Sequence, residues 1–432
     1  MRRGAAACPL LLALLLGLLP AGAGAQDRAV PAEEPLRPWL NWRQVRDPEV
    51  VRGIWITRWE YEDAASVGRI MSRAARQGMT DVFFQVRGRG DAFYRSDLEP
   101  WGMELTGTLG RDPGWDPLEA AIEQARARGL RLHAWVNTFP MWSGRTPPPP
   151  SEPQHIFNAH PEWIMANRAG QTLRLGNRFG YVSASPGNPA VQQHIHDVVL
   201  DIVSKYPVDG VHFDYIRLPD QDYSYDAVSR GRFLRESTHE TYIQWQAKEI
   251  TGMLERIAAD ARALAPDLVL TAAVVNRYER AVGIFAQDPD AWTGPGMLDY
   301  VIPMAYTPRP AEFADILHGW LEVMPPGRIA AGISLDETDG MPRAVAAQVH
   351  QSVLEGVRGH VFFSLQGLDR LGVEASAGLA YGNTGDLYAY LEEVRGMRLA
   401  AAQDVAAEFR QFWSDMIVAD QDFGTVKVKH SS

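Results

Sequence analysis

The feature that most narrows what this chain can fold into is an alternation that runs eight times between Val51 and Leu365. Each round is a short run rich in β-formers, a polar stretch, a helical pattern and a Gly or Pro break. The strand runs are Val51–Trp59, Asp81–Arg87, Arg131–Asn137, Val208–Arg217, Leu268–Asn276, Leu298–Tyr306, Arg328–Leu335 and His360–Leu365. Helical patterns lie between them at Ala64–Gln77, Pro117–Arg128, Ala190–Lys205, Glu236–Leu264, Ala311–Val323 and Pro342–Gly356, and Gly385–Val394 follows the last strand. Eight βα units in succession predict the α/β class and a (β/α)8 TIM barrel, lengthened beyond the usual ~250 residues by expanded loops. An open doubly wound sheet is the alternative, but no G-x-G-x-x-G follows the first strand.

The flanks read differently. Arg2 and Arg3, an apolar run from Ala5 to Leu19 and the Ala23-Gly24-Ala25 site predict a signal peptide over 1–25, hence a secreted or periplasmic protein. The apolar run is short for a membrane span, so no stable insertion is expected after cleavage. Residues 26–50 read as a proline-rich leader, 51–397 as the barrel and 398–432 as a short C-terminal helical extension built on Asp404–Ile417. The single cysteine, Cys8, falls in the signal, which excludes disulfides and thiolate zinc from the mature chain. The net charge of −11 argues against nucleic acid as a partner. Thirteen Trp and fourteen Tyr suit a polysaccharide ligand, whose rings lie on flat aromatic faces beside carboxylates. The sequence leaves the oligomeric state open.

On a barrel, the chemistry collects where strands end. In Val208–Pro219 (V-D-G-V-H-F-D-Y-I-R-L-P), His212 and Asp214 share a face with Gly210 and Ile216. A charge there is costly to bury without a role, so Asp214 is the first candidate acid, with His212 donating to it and Arg58 or Arg87 tuning it. Cleaving a glycosidic bond needs a second carboxyl group across the bond. Glu60, Asp91, Asp336 and Glu337 all qualify by position, and Glu60 ranks first because it closes a strand of inward parity Ile54, Ile56, Arg58. Gln85, Arg87, Asn137, His212 and Tyr306 are the candidate holders of sugar hydroxyls, joined at the rim by Arg58, with Trp59 and Trp142 as ring platforms. The insertion from Thr138 to Pro189 should wall the cleft. No metal is expected: His133, His212 and Asp214 come from different levels, and no H-E-x-x-H occurs. No other cofactor is implied, and the absence of G-x-S-x-G disfavours a serine nucleophile.

Five stretches in order carry a family likeness. They are Val51-Arg52-Gly53-Ile54-Trp55, the Gln85–Gly88 and Gly90–Ser96 runs, Ala134–Asn137, Asp209–Arg217 and Asp299–Tyr306. Together they resemble the glycosyl-hydrolase-like family 10, also called domain of unknown function 187, over roughly Val51 to Leu365. The resemblance implies a TIM barrel, a bacterial export location and hydrolysis of a polysaccharide, in one branch the peptide-free glycan strands of peptidoglycan. Asp214 occupies the position of that family's strand-end aspartate, and Tyr215 stands where many members carry a second one. The rival readings are a non-catalytic carbohydrate-binding barrel and a hydrolase of another bond, such as an esterase or deacetylase. Retention or inversion depends on the distance between the carboxyl groups, which sequence does not carry.

Overall fold

The computed structural model describes residues 50–336 and 342–367. The predicted signal (1–25), the leader up to residue 49, Glu337, the Gly385–Val394 helix and the tail from 398 lie outside the described residues. Among the described residues ten strands occur in chain order: β1 (Val51–Ile56), β2 (Asp81–Arg87), β3 (Arg131–Asn137), β4 (Pro140–Ser143) and β5 (Tyr181–Ser183). They continue with β6 (Gly210–Asp214), β7 (Val269–Val274), β8 (Tyr300–Pro303), β9 (Ala330–Ser334) and β10 (Gly359–Phe363).

Eight of them form one parallel sheet in the order β8-β7-β6-β3-β2-β1-β10-β9. The two edges approach each other through single parallel bridges, Val301 to Ile329 and Met304 to Gly332, so the barrel is nearly closed. Every expected barrel strand is present, two with the expected bounds. The remaining pair, β4 and β5, is an antiparallel ribbon inside the long insertion after β3.

Helices start where the local chemistry provides caps. Asp63 accepts from the Ser66 amide ahead of Ala64–Arg76, and Asp116 caps Pro117–Arg126. Asn188 does the same for Pro189–Lys205, with a proline at the first turn. The helix expected over Glu236–Leu264 runs from Tyr242 to Leu264, and a separate helix that the pattern did not predict, Ala227–Glu236, precedes it. The break follows from Thr241 and Gln244, whose reciprocal capping box opens a new helix at Tyr242. No helix among the described residues is long and apolar enough to cross a membrane.

Inside the barrel pack Trp55, Phe83, Trp135, Ala273, Tyr300, Ile302, Ala330 and Val361. A Cβ on Gly53 would lie 2.7 Å from Phe83 and 2.8 Å from Val361, so Gly53 and Trp55 are the inward residues of β1. The inward parity expected for Ile54, Ile56 and Arg58 is therefore corrected: alternation turns Ile54 and Ile56 outward, and β1 ends before Arg58.

Candidate active site

Strand β6 delivers Asp214 to the C-terminal mouth, level with Asn137 on β3. The next residue, Tyr215, has a left-handed backbone with φ of 49°. Its amide N–H donates to Asp214 Oδ1 at 2.6 Å. Arg217 donates to the same oxygen at 3.0 Å and lies over the Tyr215 ring at 4.4 Å. Both bonds land on Oδ1, so Oδ2 accepts no hydrogen bond among the described residues. Tyr306 stands beside this group, half-buried and stacked on Phe363; burial raises its hydroxyl pKa and the Asp214 charge adds to the effect.

His212 does not donate to Asp214 as expected. The Trp55 indole N–H can only donate, and it reaches His212 Nε2 at 3.1 Å. Nδ1 therefore carries the proton and faces the Thr271 hydroxyl at 2.9 Å. Burial, with His133 nearby, holds the imidazole well below its ordinary range, so it stays a neutral core group beneath the mouth. His133 is likewise committed, to Asp81 at 2.8 Å, and so His133, His212 and Asp214 do not converge on one point.

A second cluster is built by the loops after β1 and β2, strands that lie beyond β3 from β6 in the sheet order. Glu104, in the short 3-10 turn Met103–Leu105, receives Arg89 at 2.9 Å and Arg58 at 3.5 Å. Asp91 is wholly buried, takes the Arg89 amide at 2.8 Å and meets its guanidinium at 3.5 Å. Burial raises the Glu104 carboxyl above its usual range and the Asp91 charge adds to this; Arg89 and Arg58 oppose without cancelling it. Burial works against the Arg58 charge, but Asp91, Tyr181 and Glu104 outweigh it. The β4–β5 ribbon carries Tyr181 from this cluster to the Tyr215 ring, 5.1 Å away and edge-on. The insertion thus joins this cluster to the loop after β6, consistent with its expected place as a wall.

The other expected residues divide clearly. Gln85 takes the Arg58 amide and guanidinium at 3.1 Å each, and Asn137 donates to the Gly88 carbonyl at 3.0 Å. Arg87 is not at the mouth. A bulge in β2 breaks its parity, and its fully buried guanidinium holds Glu99 at 2.7 Å and the Asn137 and Thr138 carbonyls. Trp142 is buried beneath Arg89 rather than open as a platform, whereas Trp59 is 62% exposed with Arg58 over one face. Glu60 accepts the Thr57 and Gln366 amides and tethers two loops. Burial raises its carboxyl against those amides, and it lines a cleft of ≈ 400 Å³ with Arg69 and Arg73, on the side of the helix Ala64–Arg76. Asp336 is exposed.

Sequence reasoning misses Glu99, Glu104, Arg89 and Tyr181. A usable signal existed for the acids: a buried arginine demands a carboxylate, and the loop after β2 holds both Glu99 and Glu104.

A parallel eight-stranded barrel with its ionisable and aromatic groups gathered at the strand C-termini defines a TIM-barrel protein. The family described as glycosyl hydrolase-like 10 matches residues 50–322, and the chain belongs to it. It is 28% identical over 370 residues to the glycosyl hydrolase DigH of Escherichia coli strain K12, covering 74% of this chain and 80% of that protein. It is 26% identical over 312 residues to the glycosyl hydrolase YngK of Bacillus subtilis strain 168, covering 62% of this chain and 57% of that one. Among solved structures, the PgaB (BpsB) glycoside hydrolase domain of Bordetella bronchiseptica superposes with a TM-score of 0.59 at 12% identity. That match covers 78% of this chain and 99% of the domain. The alpha-L-fucosidase isoenzyme 2 of Paenibacillus thiaminolyticus gives 0.53 at 13% identity, over 82% and 50% of the two chains. At these identities the superpositions speak for the fold alone.

Proposed function

We propose that this protein hydrolyses the glycosidic bonds of a polysaccharide, and that the substrate is the peptide-free glycan strand of peptidoglycan. Asp214 is the attacking carboxylate or the base for water, and the Asp91–Glu104 pair supplies the proton to the leaving oxygen. The observation that carries this reading is the state of Asp214: one oxygen is clamped by Tyr215 and Arg217, and the other has no hydrogen-bond partner among the described residues. A carboxylate paired with a guanidinium suits attack or proton acceptance, so the role moves from the general acid first expected to its counterpart. Glu104, with its raised carboxyl, suits the acid. Trp59 and Tyr306 are proposed to contact sugar. The export signal at 1–25, the leader 26–50, the barrel over 51–397 and the tail 398–432 complete the proposed organisation, with a secreted or periplasmic location.

The test is reducing-end release from a polysaccharide panel that includes denuded peptidoglycan strands, comparing the wild type with Asp214→Asn. Loss of at least ~100-fold in kcat with the fold intact supports the reading. Equal activity of the two proteins overturns the role of Asp214. Saturable glycan binding with no ends released favours the binding-protein reading, and acetate release favours the deacetylase.

A further inference from the structure

Of the described non-glycine residues, only Tyr215, Ser224 and Ala286 have positive φ. Tyr215 is the one that follows a candidate catalytic carboxylate. A bulky side chain resists this region, because its Cβ crowds the following carbonyl, and such a conformation persists only where its surroundings enforce it. Here the surroundings are visible. The Tyr215 ring is held edge-on by Tyr181 at 5.1 Å and covered by the Arg217 guanidinium at 4.4 Å.

We infer that Tyr215 is a positioning residue, whose left-handed backbone and ring together fix Asp214 so that Oδ2 is the reacting oxygen. This rests on the reading of Asp214 as the attacking or proton-accepting carboxylate. The geometry makes the backbone and the ring serve one end. The Tyr215 amide donates to Oδ1 at 2.6 Å, and the φ of 49° turns the chain that follows it, so that Arg217 comes back to the same carboxylate. An extended residue at this position would carry the following chain, and Arg217 with it, on along the strand direction instead. The ring then seats Arg217, which supplies the second donor to the same oxygen at 3.0 Å. With two donors on Oδ1, rotation that exchanged the oxygens would break both bonds, so Oδ2 stays toward the mouth. Misplacing a reacting group by about an ångström costs on the order of 100-fold, which sets the size of the effect to look for.

The test compares Tyr215→Ile with Tyr215→Gly on denuded peptidoglycan strands, with kcat and KM measured separately and the fold checked by circular dichroism. Isoleucine is β-branched and disfavours positive φ; glycine adopts it freely while losing the ring. The expected result is a fall in kcat of roughly 10- to 100-fold for Tyr215→Ile with KM within about threefold of wild type. Tyr215→Gly should retain a higher kcat than Tyr215→Ile, although it deletes more side chain. Should Tyr215→Ile fail to fold, Tyr215→Ala takes its place and is expected to fall below Tyr215→Gly. Glycine damaged as much as isoleucine, or a change carried by KM, overturns the inference and indicates a ring that binds substrate. Unchanged kcat in both variants overturns it too. If Asp214→Asn is as active as wild type, the reading beneath falls and this inference with it. If Asp214→Asn is dead while the Tyr215 variants match each other, only the inference falls.

Discussion

Glu99 has no contact with solvent, and burial alone would raise its carboxyl. Arg87 and His194 outweigh burial and hold it at about 2. Arg87 binds both carboxylate oxygens, at 2.8 Å from Nε and 2.7 Å from Nη2, and His194 reaches Oε1 at 2.9 Å. Since the folded value lies below the unfolded one, the pair stabilises the fold above about pH 4.5, and that contribution is lost as pH falls toward 2. Glu99→Gln leaves the Arg87 guanidinium buried without its counter-charge. The expected cost at pH 7 is about 3–5 kcal/mol, with a flatter pH dependence of stability over that interval, as read from urea unfolding at a series of pH values. A variant as stable as wild type at pH 7 contradicts the assignment. The same pair explains part of what the sequence conceals. Arg87 sits on the inward parity of β2, but the bulge turns it into the wall, a shift that no residue type announces. Tyr215 is concealed for a different reason: tyrosine is among the side chains least expected at positive φ, so only the folded loop reveals it.

At the scale of elements, the barrel depends on close approaches between strands and the side chains inside them. A Cβ on Gly210 would lie 2.2 Å from His133 Nδ1 and 2.6 Å from the Val269 carbonyl. Those contacts join β6 to its neighbours β3 and β7, the strands that hold Asp214 in line. Gly210→Ala must displace a buried imidazole that is bonded to Asp81, or spread the sheet. Overpacking of this kind costs typically ~1–3 kcal/mol, expected as a Tm lowered by several degrees, with kcat reduced alongside because β6 carries the carboxylate. A Tm equal to wild type indicates that His133 moves freely, contrary to its bonded state. The strands themselves were legible, since strands buried on both faces leave short, mostly apolar runs rich in β-formers between turn signals. The helical break at Ser237–Thr241 was legible in principle: Thr241-Tyr242-Ile243-Gln244 is a capping-box signature inside an otherwise continuous helical pattern. The ribbon of β4 and β5 was not, because two strands of four and three residues within a long insertion give no usable period.

For the whole molecule, net charge and buried acids set one joint expectation. The chain carries −11 at pH 7, and self-repulsion of that size weakens the compact state at low ionic strength. Protonating surface carboxylates relieves it as the pH falls. Glu60 and Glu104 act in the same direction: their folded values are raised by burial, so their stabilisation is complete below the unfolded value and is lost as pH rises through the folded one. Glu99 and Asp81 act in the opposite direction. Burial raises both carboxyls, but Arg87 and His194 at Glu99, and His133 and Arg131 at Asp81, win and lower them. Their stabilisation is therefore complete above the ordinary carboxylate range and is lost as the pH falls through and below it. The optimum of Tm is thus expected on the acid side of neutrality and above that range, at about pH 5–6. Salt should separate the two causes. The Debye length contracts from about 30 Å at 0.01 M to about 10 Å at 0.1 M, which screens surface repulsion and leaves the buried acids nearly untouched. Added salt is therefore expected to raise Tm more at pH 8 than at pH 5.5, while the optimum moves toward neutrality without disappearing. Scanning fluorimetry over a grid of pH and salt reads both. An optimum at or above pH 8, or a salt response equal at the two pH values, contradicts the joint action of net charge and buried acids.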